Sequence, residues 1–219
     1  MTTTCLRVLL IGLSLAGISA CVDPAKERLK ASVEPRYDKT TGRLKELAYD
    51  ANGNGRVETW TEMDGATPLR SRIDMNEDGR IDRWEEYDEN GGLARVGFSR
   101  AGTGTADAWA YPGADGTLHR IEISSTADER RIDRWEFYEA SVTGADGRGA
   151  LVRAEEDTTG DGRANKWETY EQGAIRAVAF DETGDGRPDR RLTYKGSGVV
   201  IVESHPDPTG QFAMRMEVR

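Results

Sequence analysis

Five tryptophans, Trp60, Trp84, Trp109, Trp135 and Trp167, stand 24, 25, 26 and 32 residues apart, and Arg191 takes the next place 24 residues on. A self-similar period between 20 and 50 residues belongs to chains whose units cannot bury an apolar face alone and must stack on their neighbours. An aromatic follows three residues after most of these positions, as Tyr87, Tyr138, Tyr170 and Tyr194. A turn comes next, such as Asp88-Glu89-Asn90-Gly91-Gly92 or Glu171-Gln172-Gly173. An apolar alternation closes each unit, with Leu47 and Tyr49, Val96 and Phe98, Ile121 and Ile123, and Val178 and Phe180 in matching places. The widest spacing carries a Gly-rich insertion around 143–149, which reads as a surface loop.

Each unit therefore reads as loop, strand, tight turn, strand, with aromatic and β-branched residues flanking glycine-bearing turns. Ile81, Trp84 and Tyr87 also fit one helical face. However, only about 12 residues separate one loop from the next, and a turn interrupts them, so such helices would be too short to hold. The expected fold is all-β: about six β-hairpin repeats of roughly 24–26 residues over 37–195. These form an open repeat sheet or a propeller-like ring. Residues 196–219, with apolar alternation over 198–203 and 211–218, read as a C-terminal hairpin that caps the array. The tryptophans are expected to form a thin core.

Between each return strand and the next tryptophan lies a loop of Asp, Asn and Gly. Its fullest copy places Asp74, Asn76, Asp78 and Asp82 at positions 1, 3, 5 and 9, Gly79 at 6, Arg80 at 7 and Glu85 at 12. Alternating oxygen side chains around a glycine turn can converge on a hard cation, with Arg80 offering its backbone carbonyl. The pattern resembles the EF-hand calcium loop without its flanking helices. It also resembles the Asp-rich calcium loops of integrin-type propellers and thrombospondin type 3 repeats, in which position 9 is acidic. The resemblance implies Ca²⁺ as the cofactor. Asp157, Thr159, Asp161, Asn165 and Glu168 keep nearly the whole set. Asp181, Thr183, Asp185 and Asp189 keep it with Leu192 at position 12, and Asp50, Asn52, Asn54 and Glu58 keep it with less charge. The loops with Ser99, Ala101, Thr103 and Asp107, and with Ser125, Ala127, Glu129, Arg130 and Asp133, have lost the pattern. The same residue types also make metal-free turns, because Asp and Asn side chains bond their own backbone. Arg56, Arg80, Arg131, Arg163 and Arg187 recur at position 7, where they could pair with acids of the adjoining unit. Tyr37-Asp38-Lys39-Thr40-Thr41-Gly42 and Tyr87-Asp88-Glu89-Asn90-Gly91-Gly92 resemble bacterial YD (RHS-type) hairpin repeats, which implies a β-array on a cell surface.

The N-terminus speaks to location. Arg7 precedes a nearly unbroken apolar run from Val8 to Ile18, too short to span a bilayer. The run ends in Ile18-Ser19-Ala20-Cys21, which resembles the lipobox of bacterial lipoproteins. That resemblance implies cleavage after residue 20, acylation of Cys21, and a membrane anchor through lipid, at the outer membrane in a Gram-negative cell. Residues 21–36 then serve as a tether. An ordinary secretory signal would instead leave Cys21 as the one thiol of the mature chain, a liability in an oxidising compartment.

Losing Arg7 takes the formal charge from −9 to −10, an acidity that repels nucleic acid and anionic lipid surfaces. Apolar residues are only 37% of the chain, enough for a thin core. No nucleophile–base arrangement is legible: His119 and His205 are far apart, and there is no Gly-x-Ser-x-Gly, His-Glu-x-x-His or phosphate loop. The sequence thus points to a non-enzymatic envelope module, structural or adhesive, that uses calcium. The alternative is a metal-independent scaffold that binds a protein or glycan.

Overall fold

The computed structural model describes residues 32–143, 149–196, 198 and 200–218. The signal, Cys21, most of the tether and the middle of the 143–149 insertion lie outside the described residues. The described chain is all-β. It runs as β1 (Val33–Tyr37), β2 (Leu44–Tyr49), β3 (Thr59–Asp64), β4 (Thr67–Ile73), β5 (Arg83–Tyr87), β6 (Leu93–Phe98), β7 (Ala108–Pro112) and β8 (Leu118–Ile123). It continues as β9 (Arg134–Thr143), β10 (Gly149–Glu156), β11 (Lys166–Glu171), β12 (Ala174–Phe180), β13 (Arg190–Tyr194), β14 (Val200–Pro206) and β15 (Phe212–Val218).

All fifteen strands form one antiparallel sheet in sequence order, so the array is open and the propeller-like closure is not adopted. At the usual inter-strand spacing the sheet is about 67 Å long. The first strand begins at Val33, inside the segment expected as tether. Pro35 is tolerated there because β1 is an edge strand, where a missing N–H leaves no ladder bond unmade.

The register explains the tryptophan period. Ala48, Trp60, Arg72, Trp84, Gly97, Trp109, Glu122, Trp135, Glu155, Trp167, Ala179 and Arg191 sit opposite one another in a single row across the sheet. Side chains alternate faces along a strand, so all five indoles share one face. The 32-residue interval leaves the row intact, because Trp135 and Trp167 both lie opposite Glu155. A tyrosine three residues on falls on the other face. Its hydroxyl donates to a glutamate two residues before it, as in Tyr87 to Glu85 (2.6 Å), Tyr138 to Glu136 (2.8 Å) and Tyr170 to Glu168 (2.7 Å).

The tryptophans do not form a closed core. Trp109 is buried at 6% exposure, while Trp60, Trp84, Trp135 and Trp167 remain half-buried. A single layer has no second layer to cover it. The buried apolar side chains are mostly small or β-branched, such as Ala48, Val96, Ala108, Ala154 and Val178, shielded by their larger cross-strand neighbours.

Candidate functional site

The six long loops, 50–58, 74–82, 99–107, 124–133, 157–165 and 181–189, all leave from the same end of the strands and form one edge of the sheet. Backbone bonds carry the ladder into them. The position-1 amides of Asp74, Ser99, Ser124, Asp157 and Asp181 donate to the carbonyl of the last residue of the preceding loop, Glu58, Asp82, Asp107, Asp133 and Asn165. This fixes the start of the fourth loop at Ser124 rather than Ser125, and that loop holds one residue more than the others.

The acidic side chains cap their own loops. The two carboxylate oxygens of Asp157 accept the N–H groups of Gly160 (2.6 Å) and Gly162 (2.7 Å), and those of Asp181 accept Gly184 (2.6 Å) and Gly186 (2.7 Å). Asp50 does the same for Gly53 and Gly55, and Asp74 for Asp78 and Gly79. Position 5 accepts the position-7 amide, as in Arg80 to Asp78 and Arg163 to Asp161, both at 2.9 Å. Position 9 accepts from positions 2 and 3: Met75 and Asn76 donate to Asp82, and Glu182 and Thr183 donate to Asp189. Asn165 takes the Thr158 amide at 2.8 Å. At position 3, the Asn52 and Asn76 carbonyls accept the amides of Asn54 and Asp78, while the Thr159 and Thr183 hydroxyls donate to Asp157 and Asp181.

The position-12 glutamates serve the sheet instead. Glu85 accepts from Arg83 and Tyr87. Glu168 is 6% exposed and takes Arg134 (3.0 Å), Lys166 (2.8 Å) and Tyr170 (2.7 Å). Burial pushes the Glu168 carboxyl up, but Lys166, Tyr170 and Arg134 outweigh it and hold its pKa down at about 2. Burial also acts to raise Asp157 and Asp181. Their loop N–H groups, Gly162 and Gly160 for Asp157 and Gly186 and Gly184 for Asp181, hold both below the usual carboxylate value.

The loop carboxylates thus spend their oxygens on loop amides, and no three acidic, His or Cys side chains converge as a metal group among the described residues. One atom departs from this self-sufficiency. Glu58 is 7% exposed, and its Oε2 is buried without a hydrogen-bond partner, while Oε1 accepts the Ala51 amide. An orphaned carboxylate oxygen in a loop of Asp50, Asn52 and Asn54 is compatible with a cation there.

The position-7 arginine of the second loop joins neighbouring loops by a different bond from the one expected. Arg80 donates to the Gly102 carbonyl (3.1 Å) rather than to an acid. Glu77 links the first two loops by accepting from the side-chain amides of Asn52 and Asn54.

Two features were not expected from the sequence. Position 4 takes the left-handed conformation in every loop, at Gly53, Glu77, Gly102, Ala127, Gly160 and Gly184. The recurring glycine was visible, but Glu77 and Ala127 hid the rule. The second feature is the Arg/Glu pairing beside the indoles: Arg70 with Glu62, Arg95 with Glu86, Arg120 with Glu122, and Arg191 with Glu203. For the first two pairs the signal is the glutamate two places after a tryptophan, Trp60-x-Glu62 and Trp84-x-Glu86.

No protein-family model matches the chain, and no curated protein matches it at a significant level. Among solved structures it is similar to a point mutant of S. aureus TarM in complex with Fondaparinux, alpha-GlcNAc-glycerol and UDP, at 12% identity over 48% of this chain and 22% of that one, TM-score 0.37. It is also similar to accessory secretory protein 1,2 and 3 in Streptococcus pneumoniae, at 14% identity over 64% of this chain and 18% of that one, TM-score 0.17. The chain spans about a fifth of the length of the solved chains it matches. Likenesses this slight carry no argument about what the chain does.

Proposed function

We propose that the chain is a non-catalytic scaffold of the cell envelope, anchored by lipid on Cys21, that presents a long stiff sheet and binds an envelope protein or glycan through it. The observation that supports this reading is the capping of the loops by their own Asp side chains. The winding of the edge is met by internal hydrogen bonds, so stiffness needs no metal. The scaffold is read as about six hairpin units closed by the β14–β15 hairpin, a reading supported by the even placement of the indoles on every second strand. The anchor rests on Ile18-Ser19-Ala20-Cys21.

Two measurements test it. Cells fed a labelled fatty acid should label the full chain and not its Cys21→Ser variant. The melting temperature of the Cys21→Ser chain should be the same in EDTA and in millimolar Ca²⁺.

A second reading assigns Ca²⁺ to loop 50–58, favoured by the orphaned Oε2 of Glu58. Asp50, Asn52, Asn54 and Glu58 would hold the ion, and its charge would lock the loop. One site at ligand 100-fold above its dissociation constant adds about 2.7 kcal/mol. A Ca²⁺-selective rise in melting temperature, absent with Mg²⁺ and lost in Glu58→Gln, would therefore replace the first reading with the second.

A further inference from the structure

The tryptophan face holds a cleft of about 390 Å³ that runs over Trp84 to the edge of Trp109, walled by Arg72, Arg95 and Glu86 and rimmed by Thr105. The residue between these two indoles in the cross-sheet row is Gly97. A Cβ there would come within 2.8 Å of the Trp109 ring, so the indole is seated directly on the glycine. The other intervals between indoles are filled by Arg72, Glu122 and Glu155.

The rim comes from the two loops that lack the Asp pattern. Residues 104–106 belong to loop 99–107, and Glu129 belongs to loop 124–133. The cleft and the departure from the repeat pattern coincide.

We propose that this cleft binds a neutral, extended, β-1,4-linked oligosaccharide, with one sugar ring seated against Trp84. The proposal rests on the scaffold reading and names the partner of its tryptophan face. Three observations lead to it.

First, the arginines around the cleft already have carboxylate partners. Arg95 grips Glu86 through two bonds (2.8 and 2.9 Å), Arg70 holds Glu62 (2.6 Å), and Arg72 lies 3.9 Å from Glu46. An anionic ligand would have to break such a pair to gain a cation, whereas hydroxyl groups can donate to the carboxylates and accept from the guanidinium N–H groups left over.

Second, the Arg95 guanidinium stacks 4.0 Å from the Trp109 ring centroid, which fixes it as a flat polar wall beside the half-buried Trp84 indole. A pyranose has that same division, one apolar C–H face and a rim of hydroxyls, and aromatic side chains carry an apolar face suited to it.

Third, the indoles recur on every second strand, about 9.5 Å apart, close to the length of one disaccharide in an extended β-1,4 chain. The spacing therefore suits a polymer in which every second ring comes to the next indole position of the row.

The test is a titration of the full chain carrying Cys21→Ser with cellohexaose and with chitohexaose, followed by tryptophan fluorescence and calorimetry. Maltohexaose is the α-linked neutral control and hexagalacturonate the anionic one. At least one β-1,4 hexaose should bind saturably, at least 10-fold more tightly than either control. Thr105→Trp, an exposed rim position that would fill the cleft, should weaken binding at least 10-fold while the far-UV circular dichroism and melting temperature stay unchanged. Tyr170→Phe, on the opposite face of the sheet, should leave affinity within twofold.

Absence of saturation by both β-linked hexaoses at millimolar concentration overturns the proposal. So does equal affinity in Thr105→Trp, or preference for the anionic oligomer. None of these outcomes touches fatty-acid labelling or EDTA-insensitive melting, so the scaffold reading stands or falls separately. Specific retention of an envelope protein on the face that Thr105→Trp blocks, with no hexaose bound, would keep the scaffold and replace the glycan.

Discussion

The loops at the flanks of the sheet and those at its middle solve one problem differently. Loops 50–58, 74–82, 157–165 and 181–189 open on aspartate, whose two oxygens take two or three amides. Loops 99–107 and 124–133 open on serine, whose hydroxyl takes one: Gly104 to Ser99 (3.2 Å) and Asp128 to Ser124 (3.1 Å). The serine loops still keep an aspartate at position 9 of the third loop and at the matching end of the fourth, Asp107 and Asp133, holding the amides that follow position 1. The difference teaches that the position-9 cap is the common requirement of the turn, while the position-1 charge adds stability that the middle of the sheet does without. The middle is also where the Trp84–Trp109 cleft lies.

The sharpest way to break this comparison is to remove the charge from a flank. Asp157→Ala removes the charged acceptor of the Gly160 and Gly162 amides and should cost about 2–3 kcal/mol in urea unfolding. Ser99→Ala should cost about 1 kcal/mol, since one neutral bond is lost. Equal costs would mean the aspartate is no better a cap than the serine.

Next in size is packing in the tryptophan row. Gly97→Val forces the Trp109 indole off its seat and should destabilise by about 2 kcal/mol. At the flank, Ala179→Val opposite Trp167 adds two methyl groups beside a half-buried indole on an open face and should stay within about 0.5 kcal/mol. A Gly97→Val chain as stable as the parent would mean that Trp109 can turn away from the glycine at no cost.

Much of this architecture is legible in the residues alone. The tryptophan period carries the strands, the hairpin direction and the loop positions, because a row of large side chains on every second strand needs constant register. The openness of the sheet is not legible. Closure depends on accumulated twist and on what the two edge strands meet, and neither Pro35 nor Met214 announces that. The loop residues read as turn-formers and as cation ligands alike, since both uses ask for oxygen side chains at alternate positions. Glu85 and Glu168 bond within the sheet for a local reason. Position 12 falls two residues into the strand, on the face shared with Arg83 and Tyr87 and with Lys166 and Tyr170. The tryptophans were expected as core because a repeat period does not reveal a missing second layer.

Acid should separate the two loop classes more gently than substitution. Asp157 and Asp181 have folded-state pKa values below their unfolded ones, so their contribution is complete above about pH 4 and fades as the pH falls through the depressed folded values. Glu168 behaves alike on the tyrosine face, with its contribution lost between pH 4.5 and about 2. In a pH series followed by amide chemical shifts, Gly160, Gly162, Gly184 and Gly186 should titrate with their aspartates. Gly104, bonded to the Ser99 hydroxyl, should show no such step. A step at Gly104 as large as at Gly162 would remove the distinction between flank and middle.

The smallest expected effect sharpens the comparison within the middle itself. Position 4 is left-handed in every loop, and the fourth loop places Ala127 there at φ 56°. An L-residue in that region costs about 1–2 kcal/mol, while glycine gives back about 0.5–1 kcal/mol through the freedom of the unfolded chain. Ala127→Gly should therefore stabilise by about 0.5 kcal/mol. Gly102→Ala, with open space around its Cβ but φ 65°, should destabilise by a similar amount. Glu77 has the same backbone conformation at φ 58°, yet its carboxylate holds Asn52 and Asn54 of the neighbouring loop, so Glu77→Gly should not share the gain. Urea midpoints for the three variants decide it. If Ala127→Gly and Glu77→Gly stabilise equally, the bridge between the first two loops contributes nothing, and position 4 is governed by backbone conformation alone.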